Sequence, residues 1–467
     1  MHKQSLSAVE RHYFGPNTYK NMYTLMRFGI TILLGLTIAT QASAQSDPGG
    51  IAVRQLSLQH AIDLALADNP DLAIAEAQRD IAGSYNKSAS GPLWPRLDVN
   101  AGFIRSNDPV FVFGTKLRQG RFTAADLDFQ ELNNPNAIND WSTAFNLRWS
   151  ILDPTAWAGR SSAKNRSEAA DWATVRTREA TVLITRSLYY RAQSATAQLE
   201  AANASVGAAE ATLDSFRKRA ERGLLTEADL LQAEAELAAA RAQQAAVASA
   251  RVDALQDLGL HLGWSSDTLP EPTDTLVAPA ALSQGSFNPE ERSDLRALAA
   301  TAEAAGSAKT KTTMAYMPAV DLLAQYATYS SEPLAFDGTN WTVGVLLRWN
   351  LFSGFGRSAD GQRAEMEKRI ATLEYEQALR DAKSELDQAE RAVRSARLQV
   401  DATQTASVAA DAGRRLMRRR FDEGLATATD LLQAEARATA MRQGAIDALA
   451  NYHMAVARLD FVRSQSN

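Results

Sequence analysis

Cysteine is absent from all 467 residues of the chain. Its absence excludes disulfide bonds, zinc sites built from thiolates, and a lipid attached to an N-terminal cysteine. Histidine is also scarce, and its five occurrences lack the spacing of metal ligands: His2, His12, His60, His261 and His453. We therefore predict that the protein holds neither a metal ion nor a cofactor.

The chain has no strong excess of charge of either sign. Its 49 lysines and arginines and 54 aspartates and glutamates give a formal net charge of −5. Nucleic acid is not an expected partner, because its binding needs a basic surface. The sequence also lacks a phosphate-binding loop, a nucleophile elbow and paired acids in a glycine-rich context. These absences predict that the protein is not an enzyme.

The apolar run near the N-terminus, FGITILLGLTIAT, has about 13 residues, fewer than the roughly 20 needed to span a bilayer. Arg27 precedes this run and Ala-Ser-Ala at residues 42–44 follows it, a pattern typical of signal peptides. We expect residues 1–44 to be a cleaved signal peptide whose true start is Met22 or Met26. An uncleaved anchor is the alternative.

Proline is missing from two long stretches, from Thr155 to Leu269 and from Leu334 to the C-terminus. Alanine, glutamine, arginine and glutamate, which favour helices, are abundant in both. The first stretch predicts a helix of about 65 residues over 158–222, about 100 Å long. An ordinary globular domain contains no helix of that length. We therefore expect it to pack against other long helices as a coiled coil.

The chain contains two copies of one plan. The distance from Asp71 to Pro95 equals that from Asp294 to Pro318, and apolar alternation follows each proline. Each copy then has a tryptophan-bearing segment, WSTAFNLRWSIL or WTVGVLLRWNLF, and a long helical run interrupted by GLLTEADLLQAEAEL or GLATATDLLQAEARA. This internal repeat predicts a duplicated architecture of helix, strand, loop, strand, long helix, turn and helix. The expected segments are a first repeat at 45–263, a linker at 264–290 and a second repeat at 291–467.

Both tryptophan-bearing segments alternate between apolar and polar residues, which indicates half-buried strands. Tryptophans along one face are typical of the interfacial girdle of an outer-membrane β-barrel, and a soluble sandwich with a tryptophan-rich core is the alternative. The predicted apolar face carries Trp141, Thr143, Phe145, Leu147, Trp149 and Ile151, and in the second copy Trp341, Val343, Val345, Leu347, Trp349 and Leu351. The opposite face holds the predicted pore-lining strand positions Asn146, Arg148, Arg348 and Asn350.

Four strands per chain cannot form a closed sheet in lipid. Every backbone polar group inside a bilayer must be hydrogen-bonded, so the sheet edges must find partners. Several chains would then share one barrel, of eight, twelve or sixteen strands for two, three or four copies. Side chains fill an eight-stranded barrel, so a conducting pore needs a larger one. The residues predict a channel-forming oligomer and leave its copy number open.

In this order, the motifs resemble those of the TolC-type outer-membrane efflux proteins. The resemblance covers about residues 56–459 and rests on LSLQHAIDLALADNPDL, LWPRLDV, YMPAVDL, LFSGFGRSADGQRAEM and the two GLxT…DLLQAEA segments. It implies an α+β membrane protein. Three chains would share a twelve-stranded outer-membrane β-barrel, four strands each, continued into the periplasm by a long barrel of coiled-coil helices.

The resemblance also implies a function and partners. The protein would be the outer-membrane exit duct of a tripartite efflux or type I secretion system in a Gram-negative cell. It would passively conduct substrates delivered by an inner-membrane RND, ABC or MFS pump through a periplasmic adaptor protein. The alternative is a non-transporting coiled-coil protein of the periplasm or cell surface, which would not need the tryptophan-bearing strands.

In the family's fold, the two GLxT segments are hairpin tips far from the outer membrane. The tip residues implied to contact the adaptor are Gly223, Leu224, Thr226, Gly424, Leu425 and Thr427. Thr-x-x-Asp at Thr226 and Thr427 matches a helix-capping box and is sufficient to explain both aspartates. For Asp430, the resemblance adds a role in an acidic ring that gates the periplasmic entrance. Gln433 occupies the position of a further acidic ring of some relatives.

Two segments have more than one interpretation. The loop at 104–140 is longer than its counterpart at 328–340, and it could fold over the pore, form an extra hairpin or decorate the surface. The arginine-rich run RRLMRRR at 414–420 is either a solvated coiled-coil face or a source of partners for the gate carboxylates or the adaptor.

Overall fold

A computed structural model describes residues 52–277, 287–333 and 335–464 of the chain. The predicted signal peptide at 1–44 lies outside the described residues. None of the helices in these ranges is both long and apolar enough to cross a membrane. The elements in chain order are β1 (Ala52–Leu56), α1 (Leu58–Asp68), α2 (Pro70–Ala89), β2 (Arg96–Ser106), α3 (Pro109–Arg118), α4 (Phe129–Asn133), β3 (Ile138–Leu152), α5 (Pro154–Ala220), α6 (Glu227–His261), β4 (Thr268–Pro272), α7 (Ser293–Met314), β5 (Ala319–Ser330), β6 (Gly338–Arg348), α8 (Gly356–Asp422) and α9 (Ala428–Arg463).

The long helix predicted over 158–222 is present as α5, and α8 has the same length of 67 residues. Pro154 occupies the first turn of α5, and the carboxylate of Asp153 accepts hydrogen bonds from two N–H groups of that turn at 3.0 and 3.1 Å. After each long helix the chain turns at a tip, and the next helix packs back against it: α6 against α5, and α9 against α8. Buried alanines such as Ala389 and Ala448 keep the helices of the second hairpin close together.

Strands β2, β3, β5 and β6 form one antiparallel sheet in that order, so β2 and β6 are its edge strands. Asn146 on β3 lies opposite Asp98 on β2 and Gln325 on β5. Side chains alternate between the two faces of a strand, and directly opposite residues share a face. The register therefore extends the predicted polar and apolar faces of β3 across the sheet as far as Ser150. Between Ser150 and Leu152 the register with β5 shifts and Ile151 has no partner on β5, so the predicted alternation ends there.

The last strand is shorter than its alternating pattern indicated. β6 ends at Arg348, and the backbone turns through positive φ angles of 62° at Gly354 and 67° at Phe355 before α8 begins. The side-chain oxygen of Asn350 accepts a hydrogen bond from Arg357 at 2.8 Å. Asn350 therefore lies two residues beyond β6, and the prediction that it is a strand position was wrong. Its side chain instead helps to fix the turn into α8.

The loop between β2 and β3 folds as helices α3 and α4 against the end of the sheet, and its described residues form no extra strand hairpin. The buried amide of Gln119 donates hydrogen bonds to the Asn139 carbonyl at 2.9 Å and to Asp140 Oδ1 at 3.0 Å. A Cβ atom at Gly338 would lie 1.9 Å from the carbonyl oxygen of Arg118, so only glycine fits there. The loop is thus fastened to the starts of β3 and β6.

A second, two-stranded sheet pairs β1 with β4 in parallel, beside the middle of the first hairpin. The hydroxyl of the fully buried Tyr189 lies 2.9 Å from the Leu56 carbonyl and 2.7 Å from Asp274 Oδ2. Burial raises the pKa of Tyr189 above its ordinary value. This small sheet attaches the start of the first predicted repeat and the predicted linker at 264–290 to the long helices, and the sequence pattern did not predict it.

The half-buried ring of His261, at the end of α6, is held as a neutral imidazole. Asn69 caps α2 through its side-chain oxygen, which accepts from N–H groups at 3.0 and 3.2 Å. Its NH₂ group must therefore face the His261 carbonyl at 3.2 Å and Nδ1 at 3.5 Å. Thr185 Oγ1 donates to a backbone carbonyl at 2.7 Å, so it accepts from Nε2 of His261 at 3.0 Å. Burial lowers the pKa of His261.

We expect acid to destabilise this region, because the unfolded histidine, with a pKa of about 6.5, binds a proton that the folded one resists. The stabilisation is complete above the unfolded pKa and is lost as the pH falls below it. The unfolding temperature measured by circular dichroism should be lower at pH 5 than at pH 7.5. His261→Gln should reduce that difference, whereas the control His60→Gln, at an exposed position, should not. An equal pH dependence in wild type and His261→Gln would contradict this account.

Candidate functional site

One face of the four-stranded sheet is a continuous, exposed apolar surface. It includes Leu97, Val99 and Phe103 from β2, Trp141, Phe145 and Trp149 from β3, Tyr326 from β5, and Trp341, Val343, Val345 and Leu347 from β6. Val345 is 69% exposed and Trp341 75%. Apolar surfaces of this extent mark contact with another apolar phase. The tryptophans are therefore not buried in a core of the kind that the soluble-sandwich alternative requires.

The tryptophans form two rows at opposite ends of the apolar face. Trp141 and Trp341 lie near the end that carries α3 and α4, and Trp149 and Trp349 lie near the helical end. The indole N–H groups of Trp149 and Trp349 each donate, at 3.1 Å, to a backbone carbonyl three residues before β2 and β5, respectively. Trp141 and Trp149 are eight residue steps apart, about 26 Å along the strand. With the tilt of about 40° that strands have in outer-membrane barrels, this length gives a height of about 20 Å, comparable with their apolar band of about 25 Å.

The other face of the sheet is polar and charged. Gln325 donates a hydrogen bond to the Asn146 side-chain oxygen at 2.8 Å. Arg348 Nε donates to Asp321 Oδ2 at 2.6 Å, and the Ser150 hydroxyl donates to the other oxygen of this buried carboxylate at 2.6 Å. Three of the predicted pore-lining residues lie on this face: Asn146, Arg148 and Arg348.

Both hairpin tips begin with the same helix-ending turn. Gly223 and Gly424 have φ angles of 70° and 76°, which glycine adopts without steric penalty. Leu224 N–H donates to the Arg219 carbonyl at 2.9 Å, and Leu425 N–H donates to the Arg420 carbonyl at 2.7 Å. In each bond the N–H group donates to the carbonyl five residues earlier in the chain, which defines a Schellman motif. Leu224 and Leu425 remain 67% and 63% exposed, so both tips present an apolar side chain.

Both tips also begin their second helix with the predicted capping box. Asp229 and Asp430 each accept from the N–H and hydroxyl of the preceding threonine, Thr226 or Thr427, and each donates its own N–H back to that hydroxyl. The hydrogen bond from the Thr427 backbone lowers the pKa of Asp430. The exposed Asp430 is therefore a carboxylate at neutral pH, and the exposed Gln433 lies one turn further along α9.

Arginines near the tips join the two hairpins. Arg418 Nη2 on α8 donates to Thr212 Oγ1 on α5 at 2.6 Å and lies 3.5 Å from Glu435 Oε1 on α9. The Arg219 guanidinium, on α5, donates to the Asp422 carbonyl at 3.1 Å and to its carboxylate at 3.2 Å. Arg418, from the run at 414–420, is thus engaged within the chain. Sequence reasoning missed this link, because nothing local indicates which hairpin such an arginine would contact.

The family model of outer membrane efflux proteins matches residues 61–263 and 289–462, well over half of the chain. The chain belongs to this family. The resemblance to TolC-type proteins inferred from the motifs is thereby confirmed. The chain is also similar in sequence to protein CyaE of Bordetella pertussis, with 28% identity over 334 residues. That alignment covers 68% of this chain and 65% of CyaE, so the chain spans less than two thirds of that relative's length.

Solved channel structures share the fold of this outer membrane efflux protein. The outer membrane protein VceC of Vibrio cholerae has a TM-score of 0.74 at 19% identity, over 87% of this chain and 96% of VceC. CusC has a TM-score of 0.75 at 18% identity, over 91% and 96% of the two chains. The open state of the Neisseria gonorrhoeae MtrE outer membrane channel gives 0.72 at 19% identity, over 87% and 88%. The predicted α+β fold of mostly helices with a small sheet is confirmed.

The family and the structural neighbours are channels of the outer membrane rather than enzymes. The outer membrane is therefore the location that family membership implies for this chain.

Proposed function

We propose that three copies of the chain share one twelve-stranded barrel in the outer membrane and conduct solutes passively through it. The observation that carries this proposal is the exposed apolar face on a four-stranded sheet with two edge strands. Lipid would cover the apolar face, and β2 of one chain would pair with β6 of the next to satisfy the edge groups. Twelve strands leave room for a wet lumen, which the polar face would line.

The helical hairpins would extend the pore into the periplasm, where the tips meet an adaptor protein. Support comes from the Schellman turns, which leave Leu224 and Leu425 exposed at both tips. An exposed leucine in this position lacks the apolar contact that usually accompanies the motif. The adaptor would couple the duct to an inner-membrane RND, ABC or MFS pump in an efflux or type I secretion system. Gly223, Thr226, Gly424 and Thr427 would shape the docking turns.

Conductance of the purified protein in a planar lipid bilayer tests this function. Discrete single-channel steps are the expected result. Silence from protein shown to be folded and inserted, which persists after the tips are loosened by substitution, would refute conduction.

Besides capping α9, Asp430 would also act as a gate residue. In a trimer its carboxylates would form an acidic ring at the entrance, which binds cations. We expect Asp430→Asn to reduce cation selectivity and the block of current by divalent cations. Stability should change by less than about 1 kcal/mol, because the side-chain oxygen of asparagine at this third helical position can still accept the hydrogen bond from the Thr427 backbone.

Asp229→Asn is the matched control, since Asp229 has the same capping contacts at the first tip. If both variants, or neither, changed selectivity and divalent block, Asp430 would be a cap and no more. Gln433, which is uncharged, would contribute no second acidic ring in this chain.

A further inference from the structure

The polar face of the sheet holds a cluster of arginines at its helical end. Arg96 on β2 and Arg148 on β3 are direct cross-strand partners in the register. Arg348 lies two strands away from Arg148, near the end of β6. Like charges directly opposite each other destabilise a sheet. The fold therefore keeps Arg96 and Arg148 together against an electrostatic cost.

Neighbouring carboxylates neutralise only two of these three cations. Arg96 pairs with Asp98 at 3.0 Å. Asp321 is occupied by Arg348 at 2.6 Å and by the Ser150 hydroxyl. Arg148 is exposed and makes no hydrogen bond or ion pair within the described ranges of the chain. Its charge acts on Asp321 only at longer range, and Asp321 is already paired with Arg348. Each chain thus presents on this face one guanidinium that no carboxylate contacts directly.

The space beside Arg148 suits a small anion. A concave, open volume of about 800 Å³ lies over this part of the sheet, lined by Arg96, Arg148 and the amides of Asn146 and Gln325 among others. A guanidinium offers two parallel N–H donors that match the two oxygens of a carboxylate or phosphate. Two facing arginines with nearby amide donors can therefore hold such a group and relieve their mutual repulsion.

We propose that Arg148 and Arg96 form an anion-binding ring inside the barrel, which takes solutes bearing carboxylate or phosphate groups. This inference rests on the proposed function, because the trimer brings three such pairs around one lumen. The ring lies at the helical end of the strands, far along the chain from the tips and opposite in charge to the carboxylate of Asp430. Solutes leaving through the barrel would meet a cationic zone that favours anions over cations.

Two measurements test the ring. Calorimetric titration of the detergent-purified oligomer with citrate and with pyrophosphate, in buffer free of divalent cations, should show binding. Arg148→Gln should weaken it by about tenfold or more, because a hydrogen bond to a charged group is lost at each arginine. Reversal potentials in a potassium chloride gradient should shift toward cation preference in the same variant. Arg148→Lys should retain the preference for anions, since its charge is kept.

Arg105→Gln is the matched control. Arg105 lies on the same strand as Arg96 but on the opposite face, where it donates to Asn139 at 3.0 Å. It should change neither readout. Unchanged binding and reversal potential in a folded, conducting Arg148→Gln oligomer would overturn the inference alone. A wild-type protein that inserts but never conducts would overturn the proposed function, and failure to bind citrate and pyrophosphate would overturn the ring whether or not the channel conducts.

Discussion

Single-channel conductance should rise severalfold when Arg418 is replaced by alanine. Arg418 holds the second hairpin to Thr212 of the first at 2.6 Å and lies 3.5 Å from Glu435. These contacts lie close to the tips, where the resemblance places the constricted entrance of the proposed pore. Removing them leaves the Arg219 contacts as the remaining polar link described between α5 and α8 at this end, so the hairpins can separate more easily and the entrance can widen.

The size of the effect follows from the three copies of the chain in the proposed trimer. A hydrogen bond from a charged donor contributes about 1.5–3 kcal/mol, and the side chain of Arg418 is 33% exposed, so we take the lower half of that range. About 2 kcal/mol in each of three chains gives about 6 kcal/mol, comparable with the roughly 5.5 kcal/mol that moves an equilibrium from 1:99 to 99:1. Arg418→Ala should therefore convert a mostly closed entrance into a mostly open one.

Arg217→Ala provides the control, because Arg217 precedes Gly223 by the same six residues that separate Arg418 from Gly424. Its ion pair with Glu234, at 2.9 Å, lies within the first hairpin and joins no second one. Conductance of Arg217→Ala should match wild type. Equal conductance in all three proteins, with the oligomer intact, would show that the Arg418 contacts do not hold the entrance closed.

An arginine on the apolar face of β6 should prevent assembly in the membrane, whereas one on the next residue should not. Val345 lies midway along the apolar face, and Leu346 points to the opposite, polar face beside Asp321. Arginine at the centre of a lipid-facing strand costs about 2–4 kcal/mol, hence about 6–12 kcal/mol over three chains. Val345→Arg should therefore abolish the detergent-resistant oligomer in outer-membrane fractions.

Leu346→Arg makes a closely similar change one residue later and should assemble normally, because a wet lumen accepts a charge. The measurement is the amount of oligomer that survives unheated detergent electrophoresis. If Leu346→Arg were lost and Val345→Arg survived, the two faces would be assigned the wrong way round. Equal survival would argue against a lipid-facing surface.

The tips and the strand faces could be predicted from sequence because their causes are local. Gly424 supplies a positive φ angle, and Thr427 with Asp430 supplies a cap three residues apart. Strand faces follow from alternation alone, and the register then extends them to every neighbour. The error at Asn350 arose because the alternation of WTVGVLLRWNLF continues past the point where Gly354 and Phe355 turn the chain.

Contacts between distant segments could not be predicted. Thr212 and Arg418 are 206 positions apart, and β1 pairs with a strand 268 − 52 = 216 positions away. Pro270 and Pro272 within β4 also argue against a strand on local grounds. The link between hairpins and the small parallel sheet depend on how the long helices pack, which no short window of sequence reports.

Disulfide cross-linking between β2 and β6 tests most directly whether chains share one barrel. The chain has no native cysteine, so engineered pairs give an unambiguous result. One cysteine would replace Asn100 in β2, and a second would replace, in turn, each of four β6 residues: Asn340, Thr342, Gly344 and Leu346. Oxidation of the membrane-inserted protein should give covalent species of two and three chains for at least one pair, and nothing larger. A ladder that ends at another number, or no interchain link from any pair in the assembled oligomer, would contradict the shared trimeric barrel.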